Sequence, residues 1–166
     1  EEVSGILDTN TFEEMPAVLL VDHGSPSREV ADCRDLVAQQ MGETLNGKVS
    51  GVVACSMERR DGQAYDFCDP LLEAALEEAR ERGAKRVILS LMFFSPGRHA
   101  GPEGDIEEIC RKSAFAASGG EVVCCDLVGK IPGLIGLLLR RIRQNGKTPL
   151  GFKGRFGGER KSTLHA

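Results

Sequence analysis

The chain is short of several features that would settle its class at once. Among 166 residues, 21 basic side chains face 25 acidic ones for a net charge of −4. It therefore has no overall pull toward nucleic acid or an anionic membrane surface, and neither is expected as a partner. Long apolar runs are also missing. The stretches 87–94 and 131–139 reach only half of the roughly 20 residues needed to cross a bilayer, and glycines break the second, so a soluble protein without a membrane span is expected. No CxxC pair occurs among the six cysteines, Cys33, Cys55, Cys68, Cys110, Cys124 and Cys125. A chain of this length builds a core without a disulfide framework, so they read as reduced thiols rather than as a metal or iron–sulfur site. Cys124 and Cys125, neighbours in an apolar run, would point to opposite faces of a strand. The sequence also lacks GxxxxGK[ST], a GxGxxG after its first apolar run, and a GxSxG elbow. These absences exclude an obvious ATP seat and weaken dinucleotide-binding and serine-hydrolase readings.

Charge is distributed unevenly. Residues 1–16 hold five acids and no base, whereas 144–166 hold five bases and one acid interspersed with glycines. Both ends read as tails, an acidic one over 1–16 and a basic Gly-rich one over 144–166, around a single domain at 17–143. With Glu1 in place of Met, the chain reads as a trimmed product in which no signal or transit peptide survives.

Four short apolar runs, 17–21, 51–55, 86–94 and 121–127, are strand-like and lack strict alternation, the pattern of strands covered on both faces. Helical spacing separates them. Val30, Cys33, Val37 and Met41 form a first face, closed by Asn46–Gly47. A second helix is predicted with Asp69 as N-cap, Pro70 at its first position, Leu72, Ala75, Leu76 and Ala79 inward, and Gly83 at its end. Ile106, Ile109, Cys110 and Ala114 predict a third helix, and Leu134, Leu138 and Ile142 a fourth. The order βαβαβαβα predicts an α/β domain with a four-stranded parallel sheet flanked by helices on both faces, its ligands at the carboxyl ends of the strands.

Two of the three histidines fall there. His23 follows the first run in Val21–Asp22–His23–Gly24–Ser25–Pro26, and His99 follows the third in Ser95–Pro96–Gly97–Arg98–His99–Ala100–Gly101. In a doubly wound sheet these loops can face one cleft, where two neutral imidazoles could bind a divalent transition metal or accept protons near neutral pH. His165, in the basic tail, is expected to be inert. Glu58, just past the second run, adds a carboxylate as base or outer ligand. Arg28, Arg59, Arg60, Arg98 and Lys130 fall on the same rim and can pair with ligand carboxylates.

The Val-Asp-His-Gly-Ser strand end, the stretch 87–99 ending in Ser95–Pro96–Gly97–Arg98–His99, and the following Asp105–Ile106 together resemble the short CbiX-type sirohydrochlorin chelatases, including plant sirohydrochlorin ferrochelatases. The likeness spans about 17–143. It implies a chelatase-like (flavodoxin-like) fold and a lyase that inserts Fe2+, or Co2+ in the cobalamin pathway, into sirohydrochlorin without ATP or another cofactor. With iron this is the last step of siroheme biosynthesis. It further implies a homodimer, in the plastid stroma if the protein is a processed eukaryotic one and in the cytoplasm otherwise. On this reading His23 and His99 bind the metal and, with Glu58, are catalytic, while Ser25, Arg28, Arg59, Gly97 and Arg98 bind substrate. The chain differs from the family in its longer, more charged segment 58–70 and in having no histidine after the fourth strand. The Cys-rich tail of plant members has no counterpart here, so their iron–sulfur cluster is not expected. Two rival readings are a non-catalytic tetrapyrrole- or metal-binding module and a histidine phosphatase. Phosphatases, however, carry their Arg-His-Gly after the first strand rather than the third.

Overall fold

A computed structural model describes residues 2–9 and 14–145. The chain divides into two units, 1–134 and 135–166. In the first, strands β1 (Ala17–Asp22), β2 (Gly51–Ser56), β3 (Arg86–Leu91) and β4 (Glu121–Cys124) form one all-parallel sheet in the order β2-β1-β3-β4. This is the predicted α/β architecture, with β3 in the interior. The apolar runs are continuous because both faces of the sheet are covered. On one face Val18 and Ile88 pack with Leu45, Val49 and Cys125. On the other, Leu19, Val21, Leu89 and Leu91 meet Leu72, Leu76, Ile106 and Phe115.

Helices α1 (Glu2–Thr9), α2 (Arg28–Thr44), α3 (Leu72–Glu81), α4 (Asp105–Lys112) and α5 (Ala114–Ala117) complete this unit. In the second unit, α6 (Leu134–Asn145) supplies the fourth predicted helix. The basic tail lies outside the described residues from 146 onward, and so does His165.

Several expectations need correction. The acidic segment 1–16 is not loose throughout: Val3 of α1 is buried against Val18, Ile88 and Cys125. β3 ends at Leu91 and β4 at Cys124, short of the predicted ends. The later apolar residues instead join the two strand exits irregularly, the amides of Val128 and Gly129 donating to the carbonyls of Phe93 and Phe94 at 2.9 and 2.8 Å. The second helix starts at Leu72 and not at Pro70. Pro70 O accepts from Ser56 N at 3.1 Å and Leu71 bridges to Ser56, which holds this segment extended beside the end of β2. The predicted third helix is broken at Ser113, whose extended backbone ends α4 and whose hydroxyl caps α5 by accepting from Ala116 N. The inward face of α2 is also rotated by about one residue, or roughly 100°. Ala31, Arg34 and Ala38 are buried, while Val30 is 47% exposed.

All six cysteines are free; Cys55, Cys68, Cys110 and Cys125 are buried, and Cys124 and Cys125 take opposite faces as expected. Burial pushes the Cys55 and Cys110 thiols up to about 12, so both stay protonated at neutral pH.

Phe115 is fully buried, and its ring lies so near Gly120 that a Cβ there would come within 2.4 Å of it. Phe115→Ala is expected to cost about 3–5 kcal/mol, read as a lower urea midpoint at unchanged slope. A loss under about 1 kcal/mol would show that α5 is not part of the core.

Candidate active site at the sheet switch point

The strand order places β1 beside β3, while the chain leaves β1 toward β2 and leaves β3 toward β4. The connections at their carboxyl ends therefore diverge and leave a crevice between them. His23 is the first residue after β1, and His99 lies on the loop after β3. Their ring centroids are 4.7 Å apart at 76°, an edge-to-face pair drawn from two distant parts of the sequence. The Phe93 ring lies 6.3 Å from His23.

Backbone pairing sets the His23 side. The parallel ladder of β1 and β2 continues past both strands, with Met57 N donating to Asp22 O at 2.8 Å and Glu58 N to His23 O at 3.2 Å. This brings Glu58 Oε1 to 3.7 Å from His23 Nε2, both groups remaining partly exposed. The approach requires glycine next door. Gly24 has φ +93°, and a Cβ there would lie 1.8 Å from Glu58 O.

The His99 side is built by a tight loop. Asp105 N and Ile106 N donate to the carbonyls of Arg98 and His99 at 3.3 and 3.1 Å, folding the start of α4 back onto the histidine. A Cβ at Gly104 would meet those same two carbonyls at 2.7 Å. Asp105 Oδ2 then sits 2.6 Å from His99 Nδ1. In the neutral ring, Nδ1 donating to this carboxylate leaves the lone pair on Nε2, so Asp105 selects that tautomer and orients the ring. In the sequence Asp105 stands only as part of the family-like Asp105–Ile106 stretch and without a role, although an acid opening the helix directly after a rim loop is a usable sign.

A second residue that sequence reasoning missed is Arg34, 2% exposed. Its Nη1 donates to Ser56 Oγ at 2.5 Å and to Cys68 O at 3.1 Å, and its Nη2 to Phe67 O at 3.1 Å. Nε is 2.8 Å from Asp35, and Asp22 Oδ1 lies 3.7 Å from Nη1. Asp22 Oδ1 also accepts from Ser56 Oγ at 2.7 Å and from Gly24 N at 3.1 Å. One buried cation thus joins the ends of β1 and β2 to the 3-10 segment Gln63–Cys68, through Asp22 and Ser56, which lie one and two residues before His23 and Glu58. No buried side-chain nitrogen or oxygen among the described residues lacks a partner.

The remaining expected site residues are less uniform. Arg28 stacks on Phe67 with 4.8 Å from Cζ to the ring centroid. Arg98 is 83% exposed on the rim, its Nε 3.6 Å from Asp105 Oδ2. Arg59 is not held out to solvent as a substrate arginine would be: its Nη1 is 2.6 Å from Asp66 and its Nε 3.2 Å from Asp69, so it braces its own loop. Ser25 Oγ accepts from Ser27 N at 3.1 Å, a local turn contact. Gly97 has open space where a Cβ would be, and the close approaches fall on Gly101 and Gly104 instead. A cavity of about 360 Å³ with mainly aliphatic walls, including Leu91, Ile106 and Val122, opens beside His99. Among the described residues no group of three or more His, Cys, Asp or Glu side chains is arranged to hold a metal ion.

A family model described as CbiX matches residues 17–145. The chain belongs to the CbiX family. The match runs from the first residue of β1 to the last of α6, two residues beyond the boundary expected from the sequence. Among solved structures, a CbiX protein from Marinobacter aquaeolei VT8, linked by its description to cobalamin (vitamin B12) biosynthesis, superposes with a TM-score of 0.54 at 19% identity. That alignment covers 78% of this chain and 95% of the other, and shows that the CbiX fold is shared. No curated protein matches significantly.

Arg34→Leu would strand Asp22 and two carbonyls without their cation, and is expected to cost about 3–5 kcal/mol by urea denaturation. The double variant Arg34→Leu/Asp22→Leu should lose less than the sum of the single variants, because the charge left unpaired by one substitution is removed by the other. Strict additivity would show that the two groups do not interact.

Proposed function

We propose that this CbiX-family protein is an ATP-independent chelatase that inserts a divalent metal into sirohydrochlorin, with Fe2+ as the favoured ion and Co2+ as the second. The observation that carries the reading is the imidazole pair at the switch point, each ring backed by a carboxylate: His99 by Asp105 at 2.6 Å and His23 by Glu58 at 3.7 Å. Metallation exchanges two pyrrole N–H protons for one M2+, so the site must bring an ion and take up two protons. Imidazoles suit both tasks near neutral pH.

The tasks divide along the geometry. His99, with Nδ1 bound to Asp105, directs Nε2 as the ligand that presents the metal. His23, with Nε2 toward Glu58, accepts the two pyrrole protons one after the other and passes each through that exposed carboxylate to water. Two imidazoles leave most of the ion's coordination positions for the macrocycle nitrogens, and the absence of thiolate from the pair favours release. Arg98 stands exposed on the same rim, where it pairs with a substrate carboxylate. Among the described residues no helix is long and apolar enough to cross a membrane.

The test is anaerobic absorbance with sirohydrochlorin and Fe2+ or Co2+. The wild-type protein should form the metallated product faster than the spontaneous reaction. His23→Ala and His99→Ala should each cut turnover at least about 10²-fold with unchanged circular dichroism, and Arg98→Ala should chiefly raise KM. Near wild-type rates in both histidine variants would overturn the mechanism, and a static spectral shift without turnover would favour a binding module.

A further inference from the structure

The segment between β2 and α3 carries more charge than the crevice beside it, and its cations are engaged in two different ways. Arg59 is taken by Asp66 and Asp69. Arg28 and Arg60 instead lie against aromatic rings. Arg28 Cζ is 4.8 Å from the Phe67 centroid, Arg60 Cζ is 5.8 Å from that of Tyr65, and the two rings are 6.2 Å apart. Together they form a row, Arg28–Phe67–Tyr65–Arg60, with a guanidinium at each end. Glu29, next to Arg28, accepts from the Ser27 hydroxyl.

A guanidinium stacked on a ring holds its flat face against the π cloud and keeps its N–H edge for an acceptor, and the planar fork matches a carboxylate in two-point geometry. Stacking also restricts the side chain before any ligand arrives, which lowers the ordering cost of binding. Arg59 adds to this indirectly, since by engaging Asp66 and Asp69 it keeps those two acids of the same loop from competing with a ligand. The row stands on the same rim as the histidines: Cys68 Sγ donates to Ser25 O at 3.3 Å, tying the aromatic segment to the loop that carries His23.

We propose that Arg28 and Arg60 form a carboxylate clamp that holds acidic side chains of the tetrapyrrole so that its ring centre lies over the His23–His99 pair. Tyr65 and Phe67 act as the platform that fixes the clamp's spacing. This inference rests on the chelatase reading of the site; of the rim cations open to that role it selects Arg28 and Arg60, adds Tyr65 and Phe67 as their platform, and leaves Arg59 as a brace.

Binding of metal-free porphyrins, followed by their fluorescence, tests it without requiring turnover. Uroporphyrin, coproporphyrin and mesoporphyrin form a series of falling carboxylate number. The wild-type protein should bind them in that order of affinity, with a salt dependence that weakens along the series. Arg28→Gln and Arg60→Gln should each weaken uroporphyrin about tenfold and mesoporphyrin, with the fewest carboxylates, least, and Tyr65→Leu should mimic Arg60→Gln. Thermal melts of the variants should match the wild type, since these contacts are at the surface.

Wild-type affinity for uroporphyrin in the double arginine variant would overturn the clamp, as would an equal loss for all three porphyrins. Failure of the chelatase reading shows itself separately. Graded porphyrin binding without accelerated metal insertion leaves the clamp standing and removes the catalysis. Failure of the wild-type protein to bind any of the three removes both.

Discussion

A single buried guanidinium underlies the rim of this site. Arg34 is surrounded by acceptors from three separate pieces of chain: the end of β1 through Asp22, the end of β2 through Ser56, and the carbonyls of Phe67 and Cys68. A charge of this kind is tolerated inside a protein only where its donors are satisfied, so the contacts that solvate it must form together. Satisfying Arg34 brings β2's exit beside β1's exit and seats the segment 63–68 over both. The placing of Phe67 under Arg28 follows from that requirement, and the buried cation adds to the backbone ladder that carries Glu58 to His23.

The two histidines are treated differently by the fold. His99 is partly buried and tied by a short contact to an acid at the start of a helix, which gives it a fixed donor and a fixed acceptor. His23 is more exposed, with a looser neighbour in Glu58 and a 3.3 Å approach to the carbonyl of Gly24. On the proposed reading, the more firmly held His99 would present the ion while the more exposed His23 takes up protons on the solvent side. That division comes from backbone geometry, because Asp105 is returned to His99 by loop hydrogen bonds and Glu58 is carried to His23 by the extended β1–β2 ladder.

Much of this was visible in the sequence, and what was hidden has a common cause. Four apolar runs with helical spacing between them led directly to a parallel sheet, because cover on both faces leaves a continuous apolar signature, strongest in the central strands β1 and β3. His23 and His99 were legible because each follows such a run, and the topology, once inferred, says where strand ends meet. The tilt of α2 was misjudged because Val30 outranks Arg34 on any hydrophobic scale; only the acceptors supplied by Asp22, Ser56, Phe67 and Cys68 make the arginine the better inward residue. The contacts that Asp105 and Arg59 make were hidden for a related reason. Whether a charged side chain faces a ligand or a neighbour depends on distances across a loop, which spacing does not report. The break at Ser113 was similarly concealed, since Ile106, Ile109, Cys110 and Ala114 keep helical spacing across an extended residue.

The burial of Val3 changes what counts as the edge of the domain. The family pattern begins with β1 at residue 17, yet α1 lies before it and covers part of the face formed by Val18, Ile88 and Cys125. A fragment cut at the family boundary would keep every strand and every site residue. It would also open that face to water, forfeiting about 1.5–3 kcal/mol for Val3 alone on the scale of a buried aliphatic side chain. Helix α1 therefore covers part of the hydrophobic interior, and fragments meant to isolate the chemistry should retain it.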